Sequence, residues 1–190
     1  MKTLAAALSL GLLAACATLE PAVPPAAFRV GWTGMADNSM LPQKSAGNLK
    51  SNPNCLGDNV SPPVQWSNAP EKTRSFVILL DDQAGRIGLG VSHMVGYGIP
   101  ANISSFAEGE LSSAPQGGRF VAGKSTPGLT GWFGPCPPRG NAPQHYVMTL
   151  IATTVEPSEL APSLTKAEVL KALEGGKALR AASYVFRYAH

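Results

Sequence analysis

Apolar residues fall into short runs that are typical of β-strands. The clearest is residues 74–80, which read Arg-Ser-Phe-Val-Ile-Leu-Leu and end at two aspartates. A continuous apolar run of this length predicts a central strand that is buried on both faces. Residues 92–99 and 145–155 predict two more strands, the latter rich in β-branched side chains. Shorter strand candidates are residues 28–32, 64–66 and 183–188.

Helical patterns are confined to the C-terminal part of the chain. Thr165 and Glu168 have the spacing of a capping box, and they precede the apolar residues 169–173. The pair of glycines at 175–176 predicts the end of this helix. Residues 177–182 predict a second short helix. This order predicts a mainly β fold, an antiparallel β-sandwich with short C-terminal helices.

The first residues predict export from the cytoplasm. Lys2 precedes a short apolar run over residues 4–13. This run is about half of the ~20 residues that a membrane-spanning helix needs, so it is typical of a signal peptide. Residues 13–16, Leu-Ala-Ala-Cys, resemble the lipobox of bacterial lipoproteins, which predicts cleavage before Cys16 and attachment of lipid to its thiol. An ordinary secretory signal with an incidental cysteine is the alternative.

This processing divides the chain into three parts. Residues 1–15 form the signal peptide, residues 16–27 form the lipidated cysteine with a Pro/Ala tether, and residues 28–190 form one folded domain. The prediction is a cell-envelope lipoprotein that meets the membrane through its N-terminal lipid. Ala17 occupies the position of the inner-membrane retention aspartate of enteric bacteria. We therefore expect a periplasm-facing position on the outer membrane of a Gram-negative host.

Composition excludes a nucleic-acid partner and predicts a loop-rich domain. The formal net charge of the 190 residues is +3, too small to provide a basic surface of nucleic-acid size. The 20 glycines and 17 prolines predict many turns, while an apolar fraction of 44% indicates a folded core.

The three cysteines predict one disulfide bond. With Cys16 lipidated, Cys55 and Cys136 remain. An even pair in an oxidising compartment favours a disulfide, and two free thiols are the alternative. The bond would close a loop of about eighty residues and stabilise the fold by ~4 kcal/mol.

Several segments resemble motifs of the phosphatidylethanolamine-binding (Raf-kinase-inhibitor-like) family. Residues 57–66, Gly-Asp-Asn-Val-Ser-Pro-Pro-Val-Gln-Trp, are similar to its Gly-x-Asn-x-Ser-Pro-Pro-Leu-x-Trp signature. Residues 134–140, Gly-Pro-Cys-Pro-Pro-Arg-Gly, and the following residues 144–146 resemble its Gly-Pro-(Cys)-Pro-Pro-x-Gly and His-Arg-Tyr segments. Residues 81–85 and 92–94 stand where the family has Asp-Pro-Asp-Ala and Trp-x-His-Trp. The resemblance covers residues 28–190 in order.

The resemblance implies a sandwich of antiparallel sheets with a small pocket at one end for phosphate-like or carboxylate anions. His93 would donate a hydrogen bond and gain charge beside the anion, and an aspartate would orient it. The loop at residues 134–135 would present backbone N–H groups to the anion. The ligand-binding residues that it implies are Asp81, Asp82, His93, Gly134, Pro135, His145 and Tyr146. In this fold Cys55 and Cys136 border the same pocket mouth, which favours the disulfide.

Four positions near the implied pocket depart from the family motifs. Gln83 and Ala84 replace the proline and the second aspartate of Asp-Pro-Asp, so either one carboxylate is missing or Asp81 takes its part by a local shift. Gln144 stands at the position of the family's histidine and His145 at that of its arginine. Either the pocket lacks one histidine, or a shift of one residue brings His145 into it, and the two cannot both hold in one strand register.

The sequence therefore predicts a binding protein whose ligand is phosphate, a phospholipid head group or a carboxylate. A protein partner and a regulatory role are further candidates. The alternatives are a hydrolase or transferase that uses Asp82 and His93, and an inhibitor of an envelope protease or another protein. The sequence contains no nucleophile elbow, zinc-protease motif or phosphate loop, so we expect neither a cofactor nor a metal, and an enzyme is the less favoured class.

Overall fold

Two β-sheets form the body of the computed structural model, which describes residues 26–112 and 119–190. The predicted signal peptide, Cys16 and residues 16–25 of the predicted tether lie outside the described residues. The strands are β1 (Arg29–Gly31), β2 (Ser39–Met40), β3 (Val64–Ser67), β4 (Ser75–Asp82), β5 (Val91–Pro100), β6 (Ser105–Phe106), β7 (Val121–Ala122), β8 (Gln144–Thr153) and β9 (Ala178–Tyr188). The helices are a 3-10 turn (Gln43–Ser45), the single turn α1 (Gly85–Gly88) and α2 (Lys166–Ala172).

The two sheets confirm the predicted mainly β sandwich. One sheet has three strands in the order β1-β3-β6, and the other has six in the order β2-β9-β8-β4-β5-β7. Neighbouring strands are antiparallel with one exception, the two-residue parallel pairing of β2 with β9. Within residues 26–112 and 119–190, no helix is long and apolar enough to cross a membrane.

Strand β4 is the predicted central strand. All eight of its residues are buried, and it pairs with β5 on one side and β8 on the other. Side chains alternate between the two faces of a strand, so β4 contributes to two cores. Ile78 and Leu80 face the core between the sheets, while Val77 and Leu79 face a second core beneath α2. Both faces are apolar because both faces are covered.

Helix α2 covers the outer face of the six-stranded sheet. The predicted capping box is present, since the Thr165 side chain accepts from the Glu168 backbone and the Glu168 side chain accepts from the Thr165 N–H. Val169 and Leu173 are buried against the second core. Burial of such a side chain contributes about 1.5–3 kcal/mol, more than the cap itself.

The predicted helix over residues 177–182 is wrong, because residue 177 lies in a turn and residues 178–182 belong to β9. Strand β9 pairs with β8 along its length, from Ala178 opposite Thr153 to Tyr188 opposite Gln144. Helix propensity in this Lys/Ala/Leu-rich segment amounts to a few tenths of a kcal/mol per residue. A ladder of backbone hydrogen bonds beside an already formed strand outweighs it.

The predicted disulfide between Cys55 and Cys136 is present. It joins residues 81 apart in the sequence, with their Cα atoms 4.7 Å apart. The surrounding loops are packed backbone to backbone. A Cβ at Gly47 would overlap the Cys136 sulfur, and one at Gly57 would overlap the Ala46 carbonyl. These positions therefore require glycine.

Removal of the disulfide should destabilise the protein without changing its fold. We expect the double variant Cys55→Ser/Cys136→Ser to lose about 4 kcal/mol of unfolding free energy, because the unfolded chain is no longer restricted by a large closed loop. Urea unfolding followed by tryptophan fluorescence measures this loss. An unchanged unfolding midpoint would contradict the assignment of a stabilising role.

Candidate functional site

A β-bulge sets the direction of the His93 side chain. In the pairing of β4 with β5, Leu80 lies opposite Met94, while the next residue, Asp81, lies opposite Ser92. His93 is therefore the extra residue of a bulge. Bulges are frequent beside functional sites because they redirect one side chain out of the regular alternation. Here the bulge gives His93 a direction that regular pairing would not allow.

The loop at residues 132–134 is held by the side-chain amide of Asn59. Its Nδ2 donates to the Trp132 carbonyl at 2.9 Å, and its Oδ1 accepts from the Gly134 N–H at 2.9 Å. We call these two hydrogen bonds the Asn59 clamp. Asn59 has φ +58°, a left-handed conformation that asparagine tolerates better than most residues. A Cβ at Gly134 would overlap the Ser45 carbonyl, so the close approach of the loops also needs glycine there.

Phe133, in the middle of the clamped loop, fixes the His93 ring. The Phe133 carbonyl lies 2.7 Å from His93 Nδ1, and a carbonyl only accepts, so Nδ1 carries the proton. The Phe133 ring stacks on the imidazole at a centroid distance of 5.1 Å. His93 is only 4% exposed, and burial lowers its pKa to about 4 despite the hydrogen bonds to the Phe133 and Gly134 backbone, which act in the opposite direction. Nε2 of the neutral ring is an acceptor.

Asp82 and Tyr146 are cross-strand neighbours on β4 and β8. Asp82 is 2% exposed, and its carboxylate accepts from the Ala84 N–H at 2.9 Å. Burial raises the pKa of Asp82, while the backbone hydrogen bonds from Ala84 and Gly85 oppose that rise. Burial, and then the nearby Asp82 charge, raise the pKa of Tyr146. The Tyr146 hydroxyl donates to Gln144 Oε1 at 3.2 Å.

These side chains meet at a cavity of about 200 Å³. The volume suits a small group such as a phosphate, a carboxylate or a short head group rather than a large organic ligand. Its lining combines polar groups from three strands with a wall of prolines and the disulfide. The lining residues are Asn52, Asp82, Gly85, Arg86, Val91, His93, Phe133, Cys136, Pro137, Pro138, Gln144 and Tyr146.

Two predicted ligand-binding residues lie on the other face of the large sheet. Asp81 follows the alternation of β4 away from the cavity, where its carboxylate pairs with Lys166 at 2.8 Å. His145 is exposed and does not line the cavity, whereas Gln144 and Tyr146 do. Side chains of β8 alternate strictly between the two faces of the sheet. Gln144 and Tyr146, the sequence neighbours of His145, therefore face the cavity, and His145 faces away from it. The open choice between Gln144 and His145 is thereby decided in favour of Gln144.

Gly134 and Pro135 shape the loop but do not line the cavity. The Gly134 N–H donates to Asn59, so it is not free for an anion. The Pro135 carbonyl accepts from the Gly47 N–H at 2.9 Å, and proline has no N–H of its own. The expectation that this segment presents backbone donors to a ligand is therefore wrong for these two residues. The loop contributes Cys136, Pro137 and Pro138 instead.

Arg86 is the charged residue of the lining that the sequence does not predict, and Asn52, Gly85, Val91 and Phe133 are further unpredicted lining residues. It lies in the α1 turn, where Arg86 and Ile87 both have positive φ. Gly85 brings this turn close to the strand, since a Cβ there would crowd Val91 at 2.7 Å. Within the described chain Arg86 forms no ion pair. A free cation thus stands at the rim of a cavity that contains Asp82 and His93.

Acidic, histidine and cysteine side chains are not clustered in the described part of the chain. Among residues 26–112 and 119–190, no group of three or more His, Cys, Asp or Glu side chains is arranged so that it could hold a metal ion. The site consists of hydrogen-bonding groups, one arginine and a buried carboxyl group.

Comparison with known proteins identifies the family. A family model described as "Phosphatidylethanolamine-binding protein" matches residues 33–189. The chain belongs to this family. A UPF0098 protein of Aquifex aeolicus is 33% identical over 121 residues, which are 64% of this chain and 70% of that relative. The Mycobacterium tuberculosis protein LppC, whose name describes it as a lipoprotein, is 35% identical over 119 residues, 63% of this chain and 55% of LppC.

A solved family member has the same fold. The crystal structure of Escherichia coli YbcL, described as a member of the mammalian phosphatidylethanolamine-binding protein family, superposes with a TM-score of 0.74. The match covers 87% of this chain and 99% of YbcL, at 24% sequence identity. At this identity the likeness establishes the fold alone.

Loss of the Asn59 clamp should destabilise the folded protein. We expect Asn59→Ala to lower the unfolding free energy by about 2–3 kcal/mol, since the Trp132 carbonyl and the Gly134 N–H lose their partner. Asn68→Ala is the matched control, because Asn68 has a similar φ of +59° but makes one exposed hydrogen bond, to Ala27. Urea unfolding of both variants measures the difference. Equal losses of unfolding free energy in the two variants would contradict a stabilising role of the clamp and would assign the loss to the positive-φ backbone conformation.

Acid should destabilise the protein through His93. Its pKa is about 4 in the folded state and about 6.5 when unfolded, so between these values the unfolded chain binds more protons and stability falls as pH decreases. Between pH 7.5 and 4.5 this costs about 2–3 kcal/mol. Asp82 acts in the opposite direction, because its raised pKa favours the folded state as pH falls.

The contribution of His93 is isolated by comparing variants at the two pH values. We expect His93→Gln to lose less stability on acidification than the unchanged protein does, as measured by urea unfolding. His190→Gln is the control, since His190 is exposed and, unlike His145, does not act on the pKa of Asp82. An identical pH dependence for the protein and His93→Gln would contradict a buried neutral His93.

Proposed function

We propose that this family member is a lipid-anchored binding protein of the cell envelope whose cavity takes a small anionic group. Phosphate, a phospholipid head group and a carboxylate share the required chemistry. The observation that carries the proposal is the convergence of Asp82, His93 and Tyr146 from three strands, with Arg86 beside them, on one cavity of about 200 Å³.

Arg86 provides the charge that an anion needs. Its guanidinium group is exposed, has no ion-pair partner within the described residues and lines the cavity. Guanidinium groups bind phosphate and carboxylate oxygens through paired hydrogen bonds. The Gln144 amide N–H adds a neutral donor to the lining, and the Tyr146 hydroxyl orients this amide by donating to its Oε1. The site therefore combines one permanent cation with an oriented amide donor.

The buried acid and base of the cavity favour uptake of a proton with the ligand. His93 is neutral in the free protein because burial lowers its pKa, and burial raises the pKa of Asp82. An anion beside His93 favours the charged ring and returns its pKa toward higher values. A protonated ligand oxygen instead donates to Nε2. Either route adds a proton to the complex, so binding is stronger in mildly acidic solution.

The proposed envelope location rests on the N-terminal sequence. Residues 13–16, Leu-Ala-Ala-Cys, have the lipobox pattern, and the relative LppC is named as a lipoprotein. Lipid on Cys16 places the domain at a membrane surface, and Ala17 favours the outer membrane with the domain facing the periplasm. The disulfide between Cys55 and Cys136 suits such an oxidising compartment.

Calorimetric titration tests the ligand class. Inorganic phosphate, O-phosphoethanolamine and acetate are titrated separately into the full-length protein. We expect phosphate to bind, and Arg86→Gln to weaken its binding at least tenfold because the single cation of the cavity is lost. Lys72→Gln is the control, since Lys72 is an exposed cation next to the opposite end of β4.

Two outcomes would contradict the proposal. One is the absence of binding heat with all three compounds. The other is equal phosphate affinity in Arg86→Gln and the unchanged protein. Hydrolysis of p-nitrophenyl phosphate that is lost in His93→Gln would favour the hydrolase alternative instead.

A further inference from the structure

Two amide side chains of the anion cavity have their oxygens committed to the protein. Asn52 Oδ1 accepts from the Asn54 N–H at 3.0 Å. Gln144 Oε1 accepts from the Tyr146 hydroxyl at 3.2 Å. The N–H₂ group of each amide is thereby left as a donor for a ligand. Together with the Arg86 guanidinium group, these amides are the donors of the lining.

Two other side chains of the lining provide acceptors. His93 Nδ1–H donates to the Phe133 carbonyl, so Nε2 of the neutral ring keeps its lone pair. The Asp82 carboxylate accepts from the Ala84 N–H at 2.9 Å and is also hydrogen-bonded by the Gly85 backbone. An ionised carboxylate has about four acceptor positions, so some remain for a ligand. Asp82 is the only acidic residue among the described residues that line this cavity.

This set of donors and acceptors does not suit a fully ionised oxyanion, which has acceptor oxygens alone. Such an ion would satisfy Arg86 and the two amides. It would also bring a like charge against Asp82 and leave His93 Nε2 without a donor. Asp82 is 2% exposed, so water and salt screen this repulsion poorly. Sulfate, carboxylates and phosphate diesters are fully ionised at neutral pH.

An oxyanion that keeps a hydroxyl group suits the same set. Inorganic phosphate carries at least one hydroxyl group near neutral pH, and a phosphate monoester, with a second pKa of about 6, is partly protonated there. The hydroxyl group donates to an acceptor of the cavity, while the other oxygens accept from Arg86 and the amides. A site that hydrogen-bonds a ligand hydroxyl group discriminates strongly against an analogue that lacks it.

We propose that Asp82 is a selectivity residue that restricts the cavity to oxyanions with a hydroxyl group, namely hydrogenphosphate and phosphate monoesters. The inference rests on the anion cavity of the proposed function and narrows its ligand class. Sulfate, carboxylates and the diester group of a membrane phospholipid are then poor ligands. Repulsion of the wrong anion contributes to this selectivity, in addition to the hydrogen bond made by the right one.

Calorimetric titration at pH 7.5 tests the selectivity. Inorganic phosphate, sulfate and dimethyl phosphate are titrated separately into the full-length protein. Dimethyl phosphate represents the diester of a lipid head group, and it has no hydroxyl group. We expect phosphate to bind more tightly than either of the other two anions by about tenfold or more, because it alone donates to the acceptors of the cavity.

The isosteric variant Asp82→Asn tests the residue. Its side-chain oxygen still accepts from the Ala84 N–H, and its N–H₂ group donates to a ligand. We expect sulfate to bind this variant about tenfold more tightly than it binds the unchanged protein, since a repulsive acceptor becomes a donor. Asp81→Asn is the matched control, because Asp81 pairs with Lys166 on the other face of the sheet. A gain of sulfate binding also shows that Asp82→Asn is folded.

Three results would overturn the proposal. The first is equal affinity of the unchanged protein for phosphate and sulfate, which is measured without any variant. The second is tighter binding of dimethyl phosphate than of phosphate, which would assign the cavity to diester head groups. The third is an unchanged preference for phosphate over sulfate in Asp82→Asn, which would assign the selectivity to another residue. Absence of binding heat with every anion would instead overturn the anion cavity itself, and this inference with it.

Discussion

The Asn59 clamp is the constraint on which the site depends. One side chain holds two backbone groups of a loop that follows it by about 75 residues in the sequence. The residue between those groups is Phe133, whose carbonyl accepts a hydrogen bond from His93 Nδ1–H and whose ring stacks on the imidazole. The clamp therefore fixes the loop, the loop fixes the imidazole, and the imidazole forms a wall of the cavity. None of these contacts is local in sequence.

Burial then determines the chemistry of the cavity. The same packing that orients His93 lowers its pKa, and that of Asp82 is raised for the same physical reason. Both groups are held in the neutral state more readily than in water. The cavity lining contains one arginine, Arg86, which lies on a turn rather than on the rigid sheet and has no ion-pair partner among the described residues. The shape of the cavity and its positive charge thus have different origins. Tightly packed loops and the disulfide determine the shape, and a single exposed side chain provides the charge.

The sequence predicted the parts that depend on local pattern. Strand β4 was evident because both of its faces are apolar, and α2 was evident from its capping box. Residues 177–182 were mispredicted because their pairing with β8 is a tertiary contact that helix propensity does not report. The choice between Gln144 and His145 required the strand register. No sequence pattern identifies Arg86 as a cavity residue, because its position depends on a left-handed turn whose ends are held by β4 and β5.

The central claim is that His93 is a buried neutral base of an anion site, and its titration tests this most directly. The protein has three histidines, and the exposed His145 and His190 provide internal references in a nuclear magnetic resonance spectrum of ¹⁵N-labelled imidazoles. We predict that His93 titrates near pKa 4 as the Nδ1–H tautomer, and that phosphate raises this pKa while the reference signals stay unchanged. A His93 pKa near 6.5 that phosphate does not alter would contradict the account.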